Sequence, residues 1–61
     1  MKVSELKRLL KKAGCVFLRH GGRHDVWINT KNGKKSLIPR HDAQEVASGT
    51  ARSIIRDLLG E

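Results

Sequence analysis

Turns that contain glycine divide the middle of this chain into three short segments, and their spacing constrains the fold more than any other feature. The three segments are Cys15–His20, about His24–Asn29, and Lys35–Ile38. The first is too short and too apolar for a surface helix, and Gly21-Gly22 and Asn32-Gly33 suit the tight turns between strands. Pro39, which lacks a backbone donor, ends the last segment. The spacing therefore predicts a three-stranded antiparallel meander.

An amphipathic helix is predicted on each side of this meander. Ser4 can cap the first helix, and Gly14 ends it as a left-handed terminator. The second helix opens at Ser48-Gly49-Thr50, reaches about Leu59 and stops at Gly60. The apolar stripes of the two helices are Val3, Leu6, Leu9, Leu10 and Ala13, and Ala51, Ile54, Ile55, Leu58 and Leu59. The order α-β-β-β-α predicts an α+β domain with both helices on one face of the sheet.

Size and cysteine content limit how such a domain can be stabilised. A chain of 61 residues forms one domain and buries about 60% of the surface that its unfolded form exposes. The single Cys15 cannot form an internal disulfide, and one thiol with scattered histidines makes no zinc site. We therefore expect no metal and no small-molecule cofactor, and we expect a partner protein to add stability.

No targeting or membrane segment is expected. The N-terminus, Met1–Glu5, has no long apolar run behind its positive charge, so it does not match a signal peptide. No stretch approaches the ~20 apolar residues that span a bilayer. A lone cysteine suits a reducing compartment, and the sequence therefore predicts a soluble, cytoplasmic protein that does not bind membranes.

The chain carries a large excess of positive charge. Thirteen lysines and arginines against six acidic residues give a net charge of +7, which favours an anionic polymer as a partner. Nucleic acid is the first candidate and an acidic protein is the second, although such a charge also serves solubility alone. Lys7, Lys11 and Lys12 on the first helix, together with Lys35, are candidate RNA-binding residues. Trp27 suits either stacking on a base or filling the core.

His24 is the residue best suited to chemistry. It follows a glycine turn at the start of the second strand, where an imidazole can face solvent while its backbone is fixed. Histidine exchanges protons near neutral pH and can act as a general acid or base in RNA cleavage. Arg19, Gly22 and Arg23 offer phosphate-binding groups around the same turn. Gly-x-His is a common pattern, so a plain surface histidine in a hairpin remains an alternative.

Two further histidines are weaker candidates. His20 ends the first strand opposite His24, so an acid/base pair of histidines is conceivable. A metal pair lacks a carboxylate or cysteine to complete the ligand set. His41 lies in a predicted loop, where it can either meet phosphate or be solvated. For both residues the simple surface interpretation stays open.

The ordered residues of this chain resemble the HicA toxins, the mRNA interferases of HicA–HicB toxin–antitoxin pairs. The resemblance covers roughly Ser4–Leu59. It rests on Leu9-Leu10-Lys11-Lys12-Ala13-Gly14, Phe17, Arg19, Gly21-Gly22-x-His24, Trp27, Pro39-Arg40-His41 and Gly49-Thr50-x-Arg52-Ser53-Ile54. It implies a fold like the double-stranded RNA-binding domain, and it matches the family's catalytic histidine to His24. Arg23 stands here in place of the serine of the family's Gly-Ser-His motif. The resemblance also implies that Thr50 opens a helix by accepting backbone amides, and that a HicB antitoxin covers the histidine face.

Residues and resemblance together predict a metal-independent endoribonuclease toxin that cuts mRNA. His24 is expected to act as general acid or base at the scissile phosphate. Arg19 and Arg23 are expected to bind or polarise that phosphate, and the helix lysines to attract RNA from a distance. The expected products are a 2′,3′-cyclic phosphate and a 5′-hydroxyl. Two alternatives remain: a non-catalytic RNA-binding module, and a degenerate toxin that only binds its antitoxin.

Overall fold

The computed structural model describes residues 1–60 and contains two helices and three strands in the predicted order. They are α1 (Val3–Lys12), β1 (Cys15–His20), β2 (His24–Asn29), β3 (Lys35–Pro39) and α2 (Ser48–Leu59). The strands form one antiparallel sheet in the order β1-β2-β3. The predicted α+β fold with a three-stranded antiparallel meander is confirmed.

The central strand β2 determines which side chains share a face of the sheet. Trp27 pairs with Phe17 on β1 and with Ser36 on β3, whereas the neighbouring Val26 pairs with Leu37. Directly paired residues share a face, and successive residues of a strand alternate between faces. Trp27 therefore lies on one face of the sheet, and Val26 and Leu37 lie on the other.

Both helices pack on the face of the sheet that carries Trp27. The buried core consists of Val3, Leu6, Leu10, Cys15, Trp27, Ile38, Val46, Ala51, Ile54 and Leu58. Both helices contribute to this cluster, as predicted. Trp27 is only 3% exposed, so it fills the core and does not present its ring for stacking on a base. Burying a side chain of this size contributes about 4–6 kcal/mol of transfer free energy.

Helix α1 begins earlier than predicted, and for a reason that lies elsewhere in the chain. The prediction of Ser4 as the cap is wrong, because the helix starts at Val3 and Ser4 is already helical. The amides of Val3 and Ser4 donate to the carbonyl oxygens of Gln44 and Asp42, at 2.9 and 3.1 Å. A distant loop thus satisfies amides that a helix start leaves without partners.

Helix α2 starts without a side-chain cap. It begins at Ser48 after Ala47, and no side chain caps its first turn within the described residues. The predicted role of Thr50 as an acceptor of backbone amides is therefore wrong. Gly60 follows α2 with φ of 74°, and Gly14 follows α1 with φ of 98°, so both predicted helix stops are confirmed. Neither helix in residues 1–60 is long and apolar enough to cross a membrane.

Two smaller features differ from the prediction. Leu9 is 39% exposed, whereas the buried residues of α1 are Val3, Leu6 and Leu10. Pro39 is the last residue of β3 rather than the residue that follows it, and it pairs with His24. A proline is tolerated there because β3 is an edge strand.

Candidate active site

His24 stands at the exposed entrance to β2, directly after Gly21, Gly22 and Arg23. The Gly21 amide donates to the carbonyl oxygen of His24 at 2.8 Å. A Cβ on Gly21 would lie 2.6 Å from that oxygen, a distance that side chains do not tolerate. Glycine therefore permits a close approach that fixes the backbone of His24 while its side chain stays exposed.

His24 also lines an open groove between β3 and α2 with a volume of about 630 Å³. The other residues that line it are Ser36, Leu37, Pro39, Gly49, Thr50, Ser53, Ile54 and Asp57. The groove thus combines an imidazole, three hydroxyls and one carboxylate with apolar walls. No role was predicted for Ser36 or Asp57, because only the tertiary fold brings β3 beside α2.

Behind the turn, Asp25 is a nearly buried carboxylate that two side chains contact. Its side chain is 8% exposed, and its Oδ1 lies 2.8 Å from His20 Nδ1 and 3.1 Å from Arg40 Nε. The hydrogen bond with His20 lowers the pKa of Asp25, burial opposes this shift, and the bond from Arg40 lowers the pKa further. Asp25 is therefore ionised at neutral pH and holds both partners.

Arg40 connects this carboxylate to the glycine turn. Its Nη2 donates to the carbonyl oxygens of Gly21 and Gly22 at 3.2 and 3.1 Å, while its Nε donates to Asp25. A guanidinium can make these bonds together because its N–H groups form a rigid planar fork. No role was predicted for Asp25 or Arg40. The one available signal was the place of Arg40 among the motifs of the family resemblance.

The predicted phosphate-binding arginines lie around the same turn. Arg23 directly precedes His24, and Arg19 pairs with Val26, two residues along β2. Both arginines are exposed. The pairing of β1 with β2 is irregular between Phe17 and Arg19, and such irregularities often re-aim side chains beside functional sites. The structure thus places Arg19, Arg23 and His24 at one end of the sheet.

Two of the predicted RNA-binding lysines make contacts within the protein. Lys7 Nζ forms an ion pair with Asp42 Oδ1 at 2.7 Å, and the Lys7 side chain is only 17% exposed. Lys11 Nζ lies 5.9 Å from the centroid of the Trp27 ring, within the range of a cation–π contact. Lys7 therefore holds the segment 40–46 against α1, and Lys11 covers the edge of the core.

The other two lysines lie away from His24. Lys35 pairs with Ile28, whereas His24 pairs with Pro39, so Lys35 is four residues or about 13 Å along the sheet from the turn. Lys12 is the last residue of α1 and precedes the chain reversal into β1, also at the far end. The predicted cations thus form one group beside His24 and another at the opposite end of the sheet.

The structure offers neither a metal site nor an exposed thiol in the part of the chain that it describes. Within residues 1–60, no group of three or more His, Cys, Asp or Glu side chains is arranged to hold a metal ion. Cys15 is fully buried, and burial raises the pKa of its thiol, with Lys31 opposing the shift. Such a thiol is a poor nucleophile, so Cys15 is a residue of the core.

Comparison with known proteins relates the chain to one family. The family described as "HicA toxin of bacterial toxin-antitoxin" matches residues 3–58. A relative from Pseudomonas fluorescens (strain Pf0-1), named "Probable mRNA interferase HicA", is 38% identical over 58 residues, which are 95% of this chain and 93% of the relative. A chain in the crystal structure of the E. coli HicAB toxin–antitoxin complex superposes with a TM-score of 0.81 at 27% identity, covering 98% of this chain and 100% of the other. The resemblance seen in the sequence is confirmed, and this chain belongs to the HicA toxin family.

Proposed function

We propose that this protein is the toxin of a HicA–HicB pair and that it cleaves mRNA without a metal, with His24 as general acid or base. The observation that carries the proposal is the position of His24. Its imidazole is exposed at the edge of a groove, and its backbone is held by the hydrogen bond from the Gly21 amide. The net charge of +7 favours a polyanionic substrate. The name of the Pseudomonas relative supports mRNA as that substrate. A protein that cleaves mRNA would act in the cytoplasm, and this is the proposed location.

The proposed reaction requires only the RNA itself and two proton transfers. The 2′-hydroxyl oxygen loses its proton and attacks the neighbouring phosphorus. The bond from phosphorus to the 5′ oxygen then breaks, and that oxygen gains a proton. A 2′,3′-cyclic phosphate and a 5′-hydroxyl result. His24 takes the first proton or gives the second, a contribution of about 10²–10⁴-fold, and solvent exchanges the other.

Arg19 and Arg23 supply the electrostatic part of this mechanism. Charge builds on the phosphate oxygens as the pentavalent transition state forms, and fixed donors aimed at those oxygens stabilise it. Guanidinium groups suit this task because they bind two oxygens of one phosphate at once. Lys12 and Lys35, at the far end of the sheet, contact RNA beyond the scissile nucleotide and attract it from a distance.

The groove beside His24 is the proposed place for a nucleotide next to the scissile bond. Its volume of about 630 Å³ falls in the range of ligand pockets, about 300–1,000 Å³. A groove between a helix and a sheet edge admits an unstacked base, and sequence-specific RNA recognition generally uses such single-stranded bases. The Asp57 carboxylate repels phosphate but accepts a hydrogen bond from an amino group of a base. The base therefore points toward Asp57, and the phosphate toward the arginines.

A HicB-type antitoxin is the proposed protein partner. On the face of the sheet opposite Trp27, the protein exposes apolar side chains, with Val16 46% and Leu37 59% exposed. Exposed apolar patches on a small protein are typical of interaction surfaces. Leu37 also lines the groove, so a partner bound there lies beside His24. The relative in the E. coli structure belongs to a HicAB complex.

The test is cleavage of a single-stranded RNA by the purified protein in buffer that contains EDTA. We expect the wild type to cleave and to leave 2′,3′-cyclic phosphate ends. His24→Ala should lower the rate by about 10²-fold or more without lowering the melting temperature, because His24 is exposed. His41→Ala is the matched control, since His41 is an exposed histidine that does not line the groove, and it should keep full activity.

The outcomes separate the three functions considered for this chain. Equal cleavage by wild type and His24→Ala would remove His24 from the mechanism. RNA binding by the wild type without cleavage would favour a non-catalytic RNA-binding module. Binding of the antitoxin without binding of RNA would favour a degenerate toxin.

A further inference from the structure

We propose that Asp25 and Arg40 are positioning residues for His24: they lock the Gly21-Gly22 turn that leads into the histidine, without touching RNA themselves. This inference rests on the proposed function of His24. The turn is held from two sides. The Gly21 amide donates to the His24 carbonyl oxygen, and Arg40 Nη2 donates to the carbonyl oxygens of Gly21 and Gly22.

Packing alone does not hold this turn. A Cβ placed on Gly22 would have no heavy atom within 4 Å apart from its chain neighbours, and Gly22 and Arg23 are exposed. Two consecutive glycines have many accessible backbone conformations, and Gly21 is only half-buried. The hydrogen bonds at Gly21 and from Arg40 therefore select the one conformation that brings His24 to the groove.

Asp25 fixes the guanidinium of Arg40 in the orientation that reaches the turn. The carboxylate is 8% exposed and the Arg40 side chain 39%, so the charge-assisted bond to Arg40 Nε is partly buried and is stronger than a bond between neutral groups. His20 Nδ1 lies 2.8 Å from the same oxygen. The Phe17 ring packs edge-on against the His20 ring, with 5.0 Å between the two ring centroids. Lys7 Nζ anchors the backbone of Arg40 by donating to its carbonyl oxygen at 3.4 Å.

Both residues use their polar groups on partners within the protein. Asp25 is nearly buried and carries the same sign of charge as phosphate. Arg40 uses Nε and Nη2 on partners within the protein. Their influence on cleavage therefore passes through the turn, where a displacement of a reacting group by about 1 Å costs about 10²-fold in rate.

The test compares Asp25→Asn, Arg40→Ala and a matched control, Arg52→Ala, which removes one positive charge from an exposed position on α2. On a single-stranded RNA we expect kcat to fall by about 10²-fold in the first two variants with KM unchanged within about twofold. The control should match the wild type. In the RNA-free protein, the NMR amide resonances of Gly21 and Gly22 should shift or broaden in the first two variants only.

Arg40→Lys is the second variant, and it decides the question where Asp25→Asn does not fold. Lysine keeps the positive charge but lacks the planar set of N–H donors of the guanidinium. Arg40→Lys should therefore lose as much kcat as Arg40→Ala and show the same disturbed Gly21 and Gly22 resonances. The proposal would be overturned if Arg40→Ala raised KM while Asp25→Asn kept the kcat and KM of the wild type. That result would mean that Arg40 binds RNA directly. Unaltered Gly21 and Gly22 resonances would also overturn the proposal. These spectra need no RNA, so they report on the turn even if the wild type proves to be no nuclease.

Discussion

Replacing Gly21 with alanine tests whether the close approach at the turn holds the candidate site together. A Cβ at this position would lie 2.6 Å from the carbonyl oxygen of His24 and 3.7 Å from a methyl group of Val26. The first of these contacts is with backbone, which cannot rotate away as the end of a flexible side chain can. The 2.8 Å bond from the Gly21 amide to the same oxygen must lengthen or break, and the start of β2 must move.

The expected loss of stability follows from three effects. Inserting a methyl group into occupied space costs about 1–3 kcal/mol, and the weakened hydrogen bond adds about 0.5–1.5 kcal/mol. Alanine offsets about 0.4–1 kcal/mol by restricting the unfolded chain. The net loss is about 2 kcal/mol. In a domain of this size, each kcal/mol lowers the melting temperature by about 4–8 °C, so Gly21→Ala should melt roughly 8–16 °C below the wild type.

Gly22→Ala is the matched control for stability. Nothing lies within 4 Å of a Cβ at Gly22, and its φ is outside the left-handed region. We expect its melting temperature to change by no more than a few degrees, in the upward direction. Thermal unfolding followed by circular dichroism gives both values. Equal melting temperatures for the two variants would refute the argument that the turn depends on a close approach at Gly21.

Three further predictions concern charge and reactivity. If Lys12 and Lys35 contact RNA phosphates, replacing both with alanine should reduce the slope of log affinity against log salt by about 1.4, at about 0.7 per contact on a single strand. An unchanged slope would place the RNA contact elsewhere. Because burial raises the pKa of the Cys15 thiol, a thiol reagent at pH 8 should react only after denaturation, and fast reaction of the native protein would contradict that burial. Arg23→Ser should raise KM for RNA. It should leave the melting temperature of the protein unchanged, because Arg23 lies in an exposed turn. Faster cleavage would mean that Arg23 crowds the site.

Most of the fold was predictable because its boundaries depend on local backbone sterics. Gly14 and Gly60 end helices in the left-handed conformation, which other residues adopt only at a cost. Contacts between distant segments were not predictable in this way. The start of α1 depends on the carbonyls of Asp42 and Gln44, and no pattern near Ser4 indicates that they will be there.

The candidate site was predictable only where its residues are consecutive. A glycine turn followed by His24 is a local pattern, whereas Asp25 and Arg40 are 15 positions apart and meet only through the sheet. Lys7 was grouped with the RNA-binding lysines because a helical pattern does not show what lies opposite a side chain. The structure places Asp42 there, and the ion pair gives Lys7 a structural contact.

Segment 40–46 links the stability of the domain to the geometry of His24. The core of this small domain lies between the helices and the centre of the sheet and does not include the Gly21-Gly22 turn, so hydrogen bonds contribute much of the order of that turn. Arg40 supplies these contacts, while carbonyls of the same segment start α1 and Val46 enters the core. The order of the Gly21-Gly22 turn therefore depends on the order of segment 40–46. Substitutions that loosen the start of α1 will reach His24 through it, although they lie outside the groove.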